Sequence, residues 1–258
     1  MRIMMRLNEG IPPMVPKILA VIPTLDDDPS DTIKSLTRQT VKVSKILVAV
    51  GSWRLYQKLI SNGIDVAEYF YVKPDFKDPV GRRIAVALNC LLSKVCLEEY
   101  DYLLRVDADT ILPNRFIEEN LNADADYVGK AGYAMLLRMD CFIKFFGGRF
   151  VEVGAEDSYI GLKLLSQGCS VKSWILPPKL RRRSGAHHSW RYYFIRGMEM
   201  YKLGYEPIHV IEVLRRDIKN IFTTLGYFTA IAKRIKRYDI ASWVFRTQLR
   251  RLLYGKRK

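Results

Sequence analysis

Continuous apolar runs alternate with amphipathic stretches through the first half of the chain, and this alternation restricts the fold more than any other feature. Runs over residues 17–24, 45–50 and 66–72 are typical of strands buried on both faces. Residues 82–100 show a helical stripe of apolar side chains, and a fourth strand-like run follows at once. We therefore expect an α/β fold with a mostly parallel, Rossmann-like central sheet flanked by helices.

The fourth run ends in two carboxylates, Asp107 and Asp109. Side chains at positions i and i+2 of an extended backbone point the same way, so these two repel unless a cation lies between them. Ligands of parallel sheets bind beyond the carboxyl ends of the strands, where this pair is expected to lie. A divalent metal that holds phosphates would satisfy the pair. The alternative is that the aspartates only cap the next helix.

The positive charge of the chain is concentrated in its last third. Residues 179–258 contain 20 of the 42 Lys and Arg residues but 5 of the 27 Asp and Glu residues, so residues 1–178 are neutral and the net charge of +15 belongs to the tail. Such asymmetry indicates an anionic surface, either phospholipid or nucleic acid, as the partner of the tail.

The cysteines and the chain ends limit the remaining possibilities. The four cysteines lack the paired spacing of a zinc or redox site and are expected to be reduced core residues. No secretory leader is evident in residues 1–16, which we treat as an N-terminal extension. The weakly polar run over residues 221–232 is shorter than the ~20 residues of a membrane-spanning helix.

Apolar residues recur every three or four positions over residues 208–237, which predicts one long amphipathic helix. Lys and Arg residues surround this helix, so it is suited to lie at the surface of an anionic membrane. Its apolar seam is equally suited to pack on the rest of the protein or on a second copy, as a homodimer.

Four separated motifs resemble the family 2 inverting nucleotide-sugar glycosyltransferases of the GT-A fold. These are residues 21–24 (VIPT), residues 35–40 (SLTRQT) leading into the second strand, residues 106–109 (VDAD), and Glu156-Asp157 followed by Gly161. The resemblance implies a GT-A catalytic domain over residues 17–205, with residues 206–258 as a basic, amphipathic helical tail.

The resemblance also implies a nucleotide site at the ends of the first strands. Pro23 and Thr24 would line it, and Gly51 stands where the family often has an aspartate that binds the base, so the base remains open. Asp26 is a candidate substitute for that aspartate, although Asp26 to Asp28 are equally suited to cap the next helix. Arg82, within a Gly-Arg-Arg segment, and Asn89 would flank the base and ribose, although a solvated basic turn fits this segment equally well.

Metal and catalytic roles follow from the same resemblance. Asp109 would bind Mn²⁺ or Mg²⁺ directly, and Asp107 would contact the ribose or reach the ion through water. Asp157 would be the general base that takes the proton of the acceptor, with Glu156 assisting it or positioning the acceptor. The alternative for this second pair is simple stabilisation of a helix N-terminus.

A basic segment before residue 190 supplies further candidates. His187 would complete the metal site or contact the diphosphate, and His188 is a near-equal rival that we place with the phosphate or acceptor. Arg181 and Arg183, with Arg182 between them, would bind diphosphate or the phosphate of a lipid-linked acceptor. They are equally suited to a solvated loop that faces anionic lipid.

We therefore expect an enzyme that transfers sugar from a UDP- or GDP-sugar to a saccharide or lipid-linked acceptor, on the cytoplasmic face of a membrane. Three other classes fit some of the features. A sugar nucleotidyltransferase shares the architecture but needs a glycine-rich loop where Pro23 and Thr24 stand. A phosphatase of the haloacid dehalogenase type has its Asp-x-Asp after the first strand. A nucleic-acid-binding protein would explain the tail but not the two acidic pairs.

Overall fold

The strands of the protein form one large sheet and one small sheet. A computed structural model describes residues 15–62, 65–129, 132–180, 189–215 and 218–254. The strands are β1 (Ile18–Thr24), β2 (Lys45–Val50), β3 (Glu68–Tyr71), β4 (Tyr102–Val106), β5 (Thr110–Ile111), β6 (Tyr127–Val128), β7 (Ala134–Arg138), β8 (Val171–Lys172) and β9 (Lys179–Leu180). Strands β5 and β9 pair in the small sheet.

Ten α-helices lie within the described part of the chain. They are α1 (Ser30–Thr37), α2 (Trp53–Asn62), α3 (Val80–Leu92), α4 (Phe116–Leu121), α5 (Met139–Phe146), α6 (Glu156–Ser166), α7 (Trp190–Leu203), α8 (Pro207–Leu214), α9 (Ile221–Ala232) and α10 (Ala241–Tyr254). Short 3-10 turns cover Leu97–Glu99 and Ile218–Asn220.

The large sheet has seven strands in the order β3-β2-β1-β4-β7-β6-β8. Strands β1 to β4 pair in parallel, and β7 runs antiparallel to both of its neighbours. Alternate residues of β1 face opposite layers: Ala20 and Ile22 pack in one buried core, and Leu19 and Val21 pack in the other. The predicted fold class, an α/β protein with a mostly parallel sheet flanked by helices, is confirmed.

Several element bounds differ from the sequence prediction. The helix predicted over residues 82–100 is α3, which ends at Leu92, and the strand predicted over residues 66–72 shortens to β3. The cysteines are unpaired as predicted, but they are not core residues, since Cys96 is exposed and the other three are half-buried.

The single helix predicted over residues 208–237 is wrong. Pro207 opens the short helix α8, whose first N–H groups bond to the Glu206 carboxylate, and α9 is a separate helix followed by a positive φ of 51° at Arg234. The stripe of α9 that packs on α7 contains Thr223, Gly226, Tyr227 and Ala230. The predicted apolar seam therefore faces solvent instead of the core.

Two glycines allow α7 and α9 to cross at very short range. A Cβ atom on Gly197 would lie 1.8 Å from the carbonyl oxygen of Thr223, and one on Gly226 would lie 2.0 Å from the carbonyl oxygen of Phe194. Since both obstacles are backbone atoms, no side-chain rotation relieves the overlap. Helix α9, which lies in the predicted tail over residues 206–258, is therefore packed on α7, which lies in the predicted catalytic domain over residues 17–205.

Gly197→Ala should destabilise the protein because α7 and α9 must separate to admit the methyl group. We expect a loss of about 1–3 kcal/mol in the free energy of unfolding, the usual cost of overpacking, measured by urea denaturation. Gly161→Ala in α6 is the matched control, because its new Cβ meets nothing within 4 Å. The control should be neutral or stabilised by up to about 1 kcal/mol, and equal losses in both variants would contradict the close crossing.

Candidate functional site

A cavity of about 500 Å³ opens at the carboxyl edge of the sheet, beyond β1, β2, β3 and β4. Five residues predicted for the nucleotide and metal sites line this cavity, namely Pro23, Thr24, Gly51, Asp107 and Asp109. The position agrees with the general location of ligands in parallel sheets. The strand order therefore brings together side chains that are far apart in sequence.

Two predicted nucleotide contacts are replaced by their chain neighbours. Asp26 is exposed and lies outside the cavity lining, whereas Asp27 lines it. Arg82 also lies outside the lining and forms an ion pair of 3.0 Å with Asp78, whereas Arg83 lines the cavity. In both cases the neighbouring residue of the same type, not the predicted one, lines the cavity.

Two further residues considered for the nucleotide site, Asp28 and Asn89, have structural roles. Asp28 accepts hydrogen bonds from Ser30 and Lys58; burial opposes ionisation of its carboxyl, but these bonds prevail and lower its pKa to about 2. Asn89 is buried in α3 and exchanges two hydrogen bonds, of 2.9 and 2.7 Å, with the backbone of Phe150. Asn89 lines neither cavity, and its observed hydrogen bonds are to the backbone inside the protein, so a contact with a nucleotide stays a prediction.

Polar side chains in α1 and just after it fix the loop that carries the two aspartates. Thr32 donates a hydrogen bond of 2.7 Å to the carbonyl oxygen of Ala108, and the hydroxyl of Ser35 accepts one from the N–H of Leu112. Gln39 is fully buried and bonds to the carbonyl oxygen of Pro113. Ser35 and Gln39 belong to one of the four motifs, and their observed role is to hold this loop.

A buried arginine joins the two acidic pairs. Arg105 lies in β4 with 2% of its surface exposed, and its guanidinium forms ion pairs of 3.2 Å with Asp107 and 2.9 Å with Glu156. A charged residue inside an otherwise apolar strand is unusual because burying a charge is unfavourable unless it is paired. That anomaly in residues 102–106 is the signal by which Arg105, absent from the predicted site, was detectable in the sequence.

The titration of these groups reflects an excess of carboxylates around one cation. Burial disfavours the charge of Arg105, yet nearby Asp107, Glu156 and Asp157 keep the pKa of its guanidinium above the ordinary value. Burial raises the pKa of Asp107, and it raises the pKa of Glu156 to about 7, although Arg105 opposes both shifts. Arg105 alone therefore does not neutralise the acidic groups of this region.

Glu156 and Asp157 open α6 but have different surroundings. Glu156 is 3% exposed and lines neither cavity, so the structure does not place it where it would touch an acceptor. Asp157 lines a second cavity of about 840 Å³, and its carboxylate accepts hydrogen bonds from the N–H groups of Gly132 and Ser158. The backbone thus fixes the orientation of the Asp157 carboxylate.

The two cavities adjoin. Asp78, Val80 and Arg83 line both of them, so the cavity that contains Asp107 and Asp109 in its lining is next to the cavity lined by Asp157. Helix α7 contributes Arg191, Tyr192, Ile195 and Arg196, among others, to the lining of the second cavity. One ligand at the sheet edge and another against α7 would therefore meet near Arg83.

Four predicted site residues cannot be placed. His187, His188, Arg181 and Arg183 lie outside the described residues, so their expected contacts with metal, diphosphate or acceptor remain predictions.

Asp107 and Asp109 suit a divalent ion. Asp109 is half-buried in the cavity lining and forms no hydrogen bond or ion pair with any residue that the structure describes. Mg²⁺ is commonly held by one or two carboxylates together with phosphate oxygens and water, and Mn²⁺ accepts the same oxygen ligands. The pair therefore fits an ion that arrives with a diphosphate.

Another group of metal-binding side chains lies away from both cavities. Asp126, Cys141 and Cys169 place their ligand atoms within 4.8 Å of one another. The Asp126 carboxylate already accepts a hydrogen bond from the N–H of Ser170, and burial raises the pKa of the Cys141 thiol to about 12. The Cys141 thiol is therefore protonated, and the Asp126 carboxylate is held by the backbone.

Comparison with known proteins gives only distant structural likenesses. No protein-family model matches the chain, and no curated protein matches it. Glucosyl-3-phosphoglycerate synthase from Mycobacterium tuberculosis, solved with phosphoglyceric acid, aligns with a TM-score of 0.46 and 13% identity, over 65% of this chain and 73% of that one. A 4-diphosphocytidyl-2C-methyl-D-erythritol synthase aligns with a TM-score of 0.43 and 14% identity, over 70% of this chain and 97% of that one. Likenesses of this size assign no activity to the chain.

The raised pKa of Glu156 predicts a pH-dependent stability. Between about pH 4.5 and 7 the folded protein holds a proton on Glu156 that the unfolded chain releases, so this group lowers stability as the pH rises, by at most about 1.4 kcal/mol per pH unit. Glu156→Gln should therefore gain stability relative to the wild type as the pH rises from 5 to 7. Thermal unfolding at several pH values measures this gain, and Glu152→Gln, at an exposed position, is the control. A stability difference between Glu156→Gln and the wild type that stays constant with pH would contradict the raised pKa of Glu156.

Proposed function

We propose that the protein is a metal-dependent inverting glycosyltransferase that moves a sugar from a nucleoside diphosphate to an acceptor hydroxyl. One observation carries the proposal: the cavity lined by Asp107 and Asp109 adjoins the cavity lined by Asp157 through the shared residues Asp78, Val80 and Arg83, and Arg105 forms ion pairs with Asp107 and Glu156. The nucleoside diphosphate sugar, with UDP or GDP, occupies the first cavity. The acceptor occupies the second.

Residues of the first cavity hold the donor. Pro23, Thr24 and Gly51 face the nucleotide at the ends of β1 and β2, and Asp27 lines the same cavity. Asp109, with Asp107, would hold Mg²⁺ or Mn²⁺, and such an ion would supply positive charge to stabilise the nucleoside diphosphate as a leaving group. Arg105 fixes the Asp107 carboxylate through the 3.2 Å ion pair.

Asp157 is the general base of the second cavity. The acceptor hydroxyl gives its proton to the Asp157 carboxylate while its oxygen forms a bond to the anomeric carbon. The bond from that carbon to the diphosphate oxygen breaks, and the electron pair leaves with the nucleoside diphosphate. A single displacement of this kind inverts the anomeric centre. Glu156 acts as a positioning residue, because it holds Arg105 and does not reach the cavity.

The alternative is a sugar nucleotidyltransferase, and the products of the reaction distinguish it from a glycosyltransferase. That reaction joins a sugar phosphate to a nucleotide and releases pyrophosphate, so it needs no general base for a sugar hydroxyl. The second cavity with Asp157 favours glycosyl transfer.

Asp109→Asn and Asp157→Asn should both abolish most of the turnover. We expect UDP- or GDP-sugars with Mn²⁺ or Mg²⁺ to yield the nucleoside diphosphate, and Asp157→Asn to lower kcat by about 100-fold or more with little change in donor KM. Asp109→Asn should in addition weaken the dependence of turnover on the concentration of Mn²⁺ or Mg²⁺. Exposed Asp65→Asn is the matched control. Full turnover in either site variant, or release of pyrophosphate, would refute the proposed reaction.

We further propose that α9 attaches the protein to the cytoplasmic face of an anionic membrane. This helix contains no charged residue, and while one stripe packs on α7, the opposite stripe exposes Ile221, Leu225 and Phe228 to solvent. A helix that is apolar on all sides is normally covered. Exposed Lys233 and Arg234 follow it directly, which suits anionic headgroups. No described helix is long and apolar enough to cross a bilayer.

The exposed stripe of α9 gives a direct membrane test. Wild-type protein should float with vesicles of phosphatidylglycerol and phosphatidylcholine, and the Ile221→Ser/Leu225→Ser/Phe228→Ser variant should float several-fold less, because the lost apolar area supplies the attachment. Ile60→Ser/Val66→Ser removes exposed apolar side chains elsewhere and is the control. Equal flotation of all three proteins would refute attachment through α9. A triple variant that floats normally but fails to dimerise in solution would also refute it.

A further inference from the structure

The second cavity is more basic than a cavity for a neutral sugar needs to be. Its cationic lining consists of Lys77, Arg83, Arg191 and Arg196, and its acidic lining consists of Asp78, Asp157 and Glu199. Two of the three acids are already neutralised by cations from outside the lining, because Asp78 pairs with Arg82 at 3.0 Å and Glu199 pairs with Lys202 at 2.7 Å. An occupant therefore meets four cations and one unpaired carboxylate, the proposed base.

The arginines of the cavity retain donors for a ligand. Arg83 stacks on Phe76, with its guanidinium carbon 5.2 Å from the ring centre, and its Nε is buried without a hydrogen-bond partner. Arg191 and Arg196 form no ion pair with any carboxylate in the described ranges. Arginine donors that line one cavity without an ion pair to the described residues are suited to phosphate, which accepts bidentate hydrogen bonds.

One face of α7 presents these groups in a fixed pattern. Arg191, Tyr192, Ile195, Arg196 and Glu199 all line the cavity, and their positions i, i+1, i+4, i+5 and i+8 place them on one side of the helix. Basic and apolar side chains therefore share the same wall. That combination suits a phosphate ester better than it suits an uncharged oligosaccharide.

We infer that the acceptor carries a phosphate ester, which Arg191 and Arg196 bind while a hydroxyl of the same molecule reaches Asp157. The inference rests on the proposed glycosyl transfer. Arg83 lies where the two cavities meet and separates this phosphate from the diphosphate of the donor. The phosphate can belong to a soluble phosphate ester or to a lipid headgroup, since both present the same chemistry to the arginines.

Calorimetric binding without nucleotide tests the inference and separates the two sources. The probes are glycerol 3-phosphate and dioctanoyl phosphatidylglycerol, with glycerol and dioctanoylglycerol as phosphate-free counterparts. Arg191→Gln/Arg196→Gln should weaken binding of the phosphate probes by about tenfold or more, and Arg191→Lys/Arg196→Lys should restore part of it. Arg38→Gln/Arg246→Gln, which removes two exposed arginines that line neither cavity, is the matched control.

Each result has a defined consequence. Tight binding of both phosphate probes supports a soluble acceptor, and tight binding of the lipid probe alone supports a lipid-linked one. The inference is overturned if neither probe binds the wild type, if the phosphate-free counterparts bind equally well, or if the glutamine variant binds like the wild type. UDP and GDP binding with Mn²⁺, measured on the same proteins, should be unchanged in that variant. Failure of the wild type to bind either nucleotide would count against the proposed function instead.

Discussion

The ion pairs of Arg105 are the interaction on which the rest of the site depends. A buried guanidinium is costly, and removing one partner of a buried pair typically costs several kcal/mol because the remaining charge is left uncompensated. Arg105 is bound to Asp107 at the sheet edge and to Glu156 at the start of α6. It therefore fixes the relative positions of β4 and α6, which carry the groups proposed to hold the donor and to activate the acceptor.

The strands were predictable from the sequence because their physical signal is local. Strand β2 has the predicted bounds because five apolar residues in a row, Ile46 to Val50, pack alternately in the two cores on either side of the sheet. The cavity at the sheet edge was also predictable, since parallel strands bring their carboxyl ends together, and Asp107 and Asp109 line it. What one sequence cannot provide is which of two adjacent residues faces a cavity. Asp27 and Arg83, not Asp26 and Arg82, line it because loop geometry decides that choice.

The C-terminal helices show a different limit. Periodicity over residues 208–237 identified one apolar stripe, which is exposed in the structure. Helix α9 has a second stripe, and the glycine and small residues of that second stripe allow the closer approach to α7. A sequence with apolar residues on two sides of a helix does not reveal which side meets the protein. The role of Glu156 was missed for a related reason, because its burial depends on a partner 51 residues away in β4.

Helix α7 connects the two surfaces that the proposals assign to acceptor and membrane. One side of it lines the second cavity with Arg191 and Arg196, and another side packs on α9 at Gly197. Because that contact is backbone against backbone, α9 cannot shift without moving α7, and α7 cannot move without displacing the arginines. A lipid surface bound by the exposed stripe of α9 would therefore lie one helix away from the phosphate-binding wall. This arrangement favours an acceptor that is itself held at the membrane, with its phosphate at the headgroup level and its hydroxyl directed toward Asp157.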